Sequence, residues 1–203
     1  MYFAIDESNN IAKLYLDHTS SKRVNIVPDT IDCGSWSVID LGYKDPNCCF
    51  VKGTLVLCDE AGMTQPIEQV ASGDIVLSYD IFTKQFYPVV VQKLITNPNT
   101  THLATIVLDN GSSLEMNAYH PIYTKDGFHS LTEYNGYTKL CIGDEVCCFD
   151  GFHTITNIIE TYLDTPIVTY NLATKNLDES ADDDTYDTFI VNGCVVHNAA
   201  CPT

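Results

Sequence analysis

The chain has 203 residues, with ten Lys and Arg against 27 Asp and Glu and a formal net charge of -17. Nucleic acid and anionic membrane surfaces are bound by cationic side chains that release counterions, so this balance excludes both as partners. The length suits one sizeable domain, or a domain of about 150 residues with an extra segment, and such a domain buries roughly 70% of its unfolded surface without staples.

The start, "MYFAIDESNN", lacks the basic n-region and apolar stretch of a signal peptide. No apolar run approaches the length of a membrane span. A cytoplasmic location is therefore expected, in which the nine cysteines, at 33, 48, 49, 58, 141, 147, 148, 194 and 201, stay as reduced thiols. None forms a C-x-x-C pair, so neither a metal nor another cofactor is expected, and most read as small buried hydrophobes.

Residues 1 to 48 alternate apolar and polar in short pieces, "YFAID", "IAKLYLD", "RVNIV" and "SWSVIDLGY", until "KDPN" breaks the pattern. This reads as a small β-rich flanking segment with a boundary near Asp45 to Asn47. Strand signals then dominate: "TLVLC" (54 to 58), "DIVLSY" (74 to 79), "YPVVVQKLI" (87 to 95), "LATIVL" (103 to 108), "TPIVTYNL" (165 to 172) and "TFIVNGCVV" (188 to 196). Between them, "TQPIEQVASGD" (64 to 74) alone reads as helical, for about two turns. "LDNGSS" (108 to 113) is a hairpin signal. The acid-rich "NLDESADDDTYD" (176 to 187) lacks the spacing and central Gly of an EF-hand and reads as a solvated loop. "GDIVLSYD" from Gly73 returns as "GDEVCCFD" from Gly143, each followed by an aromatic residue and a strand-like run, which predicts a duplicated half. The expected fold class is all-β.

Candidate chemistry sits at the two ends of this stretch. In "CCFVKGTLVLC" a thiol, Cys49, begins a strand ahead of a bend at Gly53, and a thiol is the best ordinary nucleophile near neutral pH when a base lies close. His120, in "LEMNAYHPIYT" and held by Pro121, is the candidate proton-transfer group. At the far end "VVHNAAC" places His197 and Asn198 before the small Ala199, where a carboxamide can attack its own carbonyl. Taken singly, each has a plain alternative: a core cysteine, a structural histidine, a turn. Their order along 150 residues carries the weight.

That order resembles the Hint family, the self-processing module shared by hedgehog proteins, inteins and bacterial intein-like domains. "CFVKGTLV" (49 to 56) is similar to the family's opening motif, "PIEQVASGDIVLSYD" (66 to 80) to the segment after it, and "HPIYTKDGFHSL" (120 to 131) to the central motif. "VTYNLATK" (168 to 175) and "DTFIVNGCVVHN" (187 to 198) look like the closing motifs. The resemblance implies a horseshoe-like all-β fold with pseudo-two-fold halves over residues 49 to 198, flanked by residues 1 to 48 and 199 to 203, with no room for an inserted endonuclease. It implies Cys49 as nucleophile on the Cys48 carbonyl, His120 as its acid, and His197 assisting cyclisation of Asn198. Asn117 stands where the family usually has Thr, and is expected to hydrogen-bond the scissile amide or the developing oxyanion. Asn171 and Asp187 stand where Asp and His are common in assisting roles. Ala199 offers no nucleophile for splicing, Cys201 lies two residues on, and cleavage at the junctions is the implied outcome. The substrate would be the chain's own flanking segments, with an outside thiol, amine or water as acyl acceptor and a monomer as the working form. A catalytically silent Hint-like interaction module and a cysteine hydrolase using Cys49 and His120 remain the alternatives.

Overall fold

The structure, a computed structural model, describes residues 2–6, 11–15, 49–131, 137–177 and 188–198. The expected boundary at 45 to 47, the acidic stretch 178 to 187 with Asp187, and Cys48, Ala199 and Cys201 lie outside the described residues. The chain divides into two compact units, Met1–Tyr43 and Lys44–Thr203. In the first, β1 (Tyr2–Asp6) and β2 (Ile11–Tyr15) pair antiparallel, with Tyr2 opposite Tyr15 and Asp6 opposite Ile11.

The second unit is built from strands. They are β3 (Phe50–Val51), β4 (Leu55–Leu57), β5 (Thr64–Pro66), β6 (Ile75–Asp80), β7 (Gln85–Leu108), β8 (Ser113–Asn117), β9 (Ile122–Thr124), β10 (Gly127–Ser130), β11 (Thr138–Lys139), β12 (Glu145–Cys148), β13 (Gly151–Asn176), β14 (Thr188–Val191) and β15 (Cys194–His197). No α-helix occurs among the described residues, and none of their helices is long and apolar enough to cross a membrane. The two helical turns expected over 64 to 74 shrink to one 3-10 turn, Ile67–Gln69. The reason is competition for the backbone. Thr64 to Pro66 pair with β4, the Ile67 N–H donates to Thr54 O, and Val70 is already extended.

Runs that the sequence separates are joined in space. "YPVVVQKLI" and "LATIVL" belong to the single strand β7 of 24 residues, which pairs with the 26-residue β13 from Asn176 opposite Val89 to Ile155 opposite Leu108. The "TNPNTT" stretch between them does not break the strand, because its polar side chains bond one another. Asn97 Nδ2 donates to Thr100 Oγ1, Asn99 N donates to Asn97 Oδ1, and the Thr100 and Thr169 hydroxyls meet at 2.6 Å across the pair. Conversely, "TFIVNGCVV" is not one strand but the hairpin β14–β15, turning at Asn192 (φ 47°) and Gly193 (φ 84°) as an Asn-Gly pair favours. The hairpin's strand interiors are apolar because both faces are covered: Phe189 and Val191 join one core with Phe50, Ile122 and Leu172, while Ile190 and Val195 join a second with Leu77 and Tyr79.

The sequence echo is a structural repeat. Gly73 N donates to Val91 O and Gly143 N to Ile155 O; Val91 N returns to Asp74 O and Ile155 N to Asp144 O. The carboxylates of Asp74 and Asp144 accept from Ala71 N and Cys141 N at 2.8 and 2.9 Å. Each turn then feeds a short strand, β6 or β12, that pairs antiparallel with the long strand following it. The halves therefore share one local design, pseudo-two-fold as expected. Gly73 and Gly143 hold φ of 95° and 100°, where a Cβ costs about 1–2 kcal/mol. Gly73→Ala and Gly143→Ala are each expected to lose that amount in a denaturant titration, and equal midpoints for variant and parent would refute the shared turn.

Candidate functional site

β3 lies between two partners and ends after two residues at the turn over Lys52 and Gly53. Phe50 pairs with Met116 of β8 on one side and Tyr170 of β13 on the other. Cys49, immediately before it, is 1% exposed. The bend after β3 is fixed by Glu68, whose carboxylate accepts the Gly53 N–H at 2.9 Å, and that bond holds the Glu68 carboxyl below the usual carboxylate range. Thr54 Oγ1 closes the same bend by donating to Val51 O at 2.8 Å.

Asn117 ends β8 and organises the turn into β9. Its side-chain oxygen accepts the Tyr119 N–H at 2.9 Å, an Asx turn, and its backbone oxygen accepts the His120 N–H at 3.0 Å. Its own N–H donates to Cys49 O at 2.7 Å. The Asn117 side-chain oxygen is thus committed to shaping the turn that carries His120. His120 is fully buried, its ring 4.1 Å from the Phe50 ring, and Phe50 meets Phe189 edge-on at 5.9 Å.

The closing strand reaches the same turn. Val196 pairs with Ile122, and the His197 N–H donates to Pro121 O at 3.2 Å. Three backbone hydrogen bonds thereby link the region: Asn117 to Cys49, His120 to Asn117, and His197 to Pro121. Cys49, Asn117, His120 and His197 are brought together through five consecutive residues, Asn117 to Pro121. The ring of His197 lies edge-on to Phe128 at 5.1 Å, and its Nδ1 meets the backbone oxygen of Asn198.

Asn198 is buried, and its Nδ2 donates to Thr174 Oγ1 of β13 at 2.9 Å. The other carboxamide atom, Oδ1, is buried without a hydrogen-bond partner among the described residues. Asn171 is buried in the same strand, its side-chain oxygen accepting the Leu172 N–H. Thr174 carried no role in the sequence reading, although it lies in the quoted "VTYNLATK"; a threonine in a strand is ordinary composition, and strand register alone reveals its neighbour. Thr188 is a second such residue. Its hydroxyl binds the backbone of Tyr79 on both sides and Ser78 Oγ at 2.8 Å, fastening the closing hairpin to β6.

Of the other described cysteines Cys141 is exposed, and three buried ones have raised thiol pKa values. Burial pushes the Cys147 thiol up to about 11 and the Cys58 thiol upward, and the contact with Cys194 Sγ at 3.7 Å raises Cys148. Such groups hold little thiolate near neutral pH, so they are poor rival nucleophiles. Among the described residues no cluster of three or more His, Cys, Asp or Glu could hold a metal ion.

No family model and no curated protein matches the sequence. Solved structures do. A bacterial intein-like domain from Clostridium thermocellum is 27% identical, covering 74% of this chain and 98% of its own length, with a TM-score of 0.59. The DnaB intein of Synechocystis sp. PCC 6803 is 14% identical, covering 75% of this chain and 99% of its own, with the same TM-score. The gp41-1 intein is 17% identical, covering 74% and 98%, with a TM-score of 0.56. At their identities the last two speak for the fold alone. With the internal repeat and the all-β order, the likeness to the bacterial intein-like domain supports a Hint-superfamily, intein-like domain in this chain.

Proposed function

We propose that residues 49 to 198 act once, on their own flanking segments, by autocatalytic cleavage at both ends. The observation that supports this reading best is the backbone linkage through Asn117 to Pro121, which ties Cys49 at one end of the domain to His197 at the other. At the first junction the Cys49 sulfur attacks the carbonyl carbon of Cys48. The carbon–sulfur bond forms as the thiol gives up its proton, the carbon–nitrogen bond breaks, and the Cys49 nitrogen takes up a proton as it leaves. An amide is more stable than a thioester, so this step needs acid assistance. His120, packed against the neighbouring Phe50, is the assigned donor. Asn117 holds the Cys49 carbonyl and so fixes the backbone from which the thiol projects.

At the second junction Asn198 Nδ2 attacks the carbonyl carbon of the same residue. A succinimide closes, the bond to Ala199 breaks, and the proton lost from Nδ2 is balanced by the one gained by the departing nitrogen. His197 Nδ1 faces the oxygen of that carbonyl, where a donated proton polarises it. Ala199 has no side-chain nucleophile to receive the Cys48 acyl group, so water or an outside thiol or amine takes it, and cleavage prevails over splicing. A hydrolase acting on added substrates fits less well with a nucleophile that is 1% exposed.

The test is the intact mass of freshly expressed chain followed over hours, with and without dithiothreitol or hydroxylamine. The expected result is a fragment ending at Cys48, increased by either reagent, and loss of the residues after Asn198 independent of both. An unchanged mass under all conditions would refute the proposal.

A further inference from the structure

We infer that Thr174 is the positioning residue for the Asn198 nucleophile, an inference that rests on the cyclisation reading above. A primary amide is a weak nucleophile with free rotation about two side-chain bonds, so ring closure depends on holding its nitrogen over the carbonyl carbon. Two contacts bear on the two groups that must meet. Thr174 Oγ1 accepts one N–H of Asn198 Nδ2 at 2.9 Å, while His197 Nδ1 meets the carbonyl oxygen of the same residue. The first fixes the attacking atom, and the second fixes the atom on which negative charge develops.

The strand geometry is specific to this contact. The pairing of β13 with β7 shifts register between Ala173 and Thr174, and such an irregularity redirects the side chain that follows it. Leu172 and Ala173 are buried, whereas Thr174 is half-buried and reaches Asn198, twenty-four residues later in sequence. The hydroxyl holds the carboxamide by its nitrogen end. The oxygen end is buried with no partner among the described residues, so nothing there competes for the orientation that cyclisation requires.

Thr174→Val removes the acceptor at nearly constant volume, and Thr174→Ser keeps it. In the full chain, loss of the residues after Asn198, followed by intact mass, is expected to slow about 10²-fold in the valine variant. The serine variant is expected to stay within about threefold of the parent, and dithiothreitol release at Cys49 is expected to be the same in all three. A valine variant as fast as the parent, or a serine variant as slow as valine, overturns the assignment. Continued cleavage in Asn198→Ala would instead sink the cyclisation reading. Hydrogen exchange at the Asn198 side-chain amide gives a readout independent of cleavage: protection in parent and serine variant, lost in valine, is expected, and equal exchange in all three overturns the inference.

Discussion

Asn198→Ala is expected to abolish cleavage after residue 198 while leaving thioester chemistry at Cys49 intact, and Cys49→Ala is expected to do the reverse. The separation follows from how the ends are built. Asn198 is held by Thr174 of β13 and by His197 of β15, and neither contact involves Cys49. Cys49 is held by Asn117 through its backbone oxygen, a bond that an alanine at either position leaves in place. Each variant removes the one atom that must form the new bond, sulfur in one case and Nδ2 in the other, so the effect is total rather than partial. Masses of the two purified variants after hours of incubation decide the matter. Fragments from both junctions in either variant would show that the nucleophile at that junction is another group.

The candidate reactive residues stand out in the sequence because such residue types are sparse there and ordered: a cysteine before a Gly-Thr bend, a histidine before proline, a His-Asn pair after a valine strand. The repeat was legible too, since its Gly-Asp turn depends on two residue types that little else replaces, a glycine at positive φ and a carboxylate accepting the backbone three residues back. What escaped depends on pairing partners. "TNPNTT" has the composition of a loop, yet Asn97, Thr100 and Thr169 satisfy one another across β7 and β13. The 64 to 74 segment has helical spacing, yet β4 captures its first residues. Asn192 and Gly193 also form a hairpin turn, but they sit inside a run so apolar that it reads as continuous. Thr174 escaped for the same reason, because a register shift is a property of two strands and is written in neither alone.

These misses share a cause with the way the candidate site is built. The residues with chemistry are few, and long-range strand pairing aims them. β13 contributes Tyr170 to hold β3 behind Cys49 and, four residues later, Thr174 to hold Asn198. One strand thus holds residues at both proposed junctions, with the register shift at Ala173 and Thr174 between the two contacts. The turn from Asn117 to Pro121 does so from the other side. The two ends of the domain are coupled by shared scaffolding while their reacting atoms remain distinct, and this arrangement predicts that His120, although central, governs one junction more than the other.

His120→Ala is accordingly expected to slow thioester-dependent cleavage before Cys49 by about 10²- to 10⁴-fold, the usual scale for a lost general acid. Cleavage after Asn198 is expected to fall much less, because the imidazole facing that carbonyl is His197. Folding must be separated from chemistry here. His120 is fully buried against Phe50, and truncation leaves a cavity in the core that also contains Phe189. A general loosening would slow both junctions together and lower the unfolding midpoint, whereas loss of the acid slows one and leaves the other running. Rates at the two junctions, measured by mass in the same sample, with thermal unfolding alongside, therefore discriminate. His120→Gln, which refills most of the volume without an imidazole, is expected to recover stability and not the rate. If it recovers the rate as well, His120 supports the core and another group protonates the leaving nitrogen.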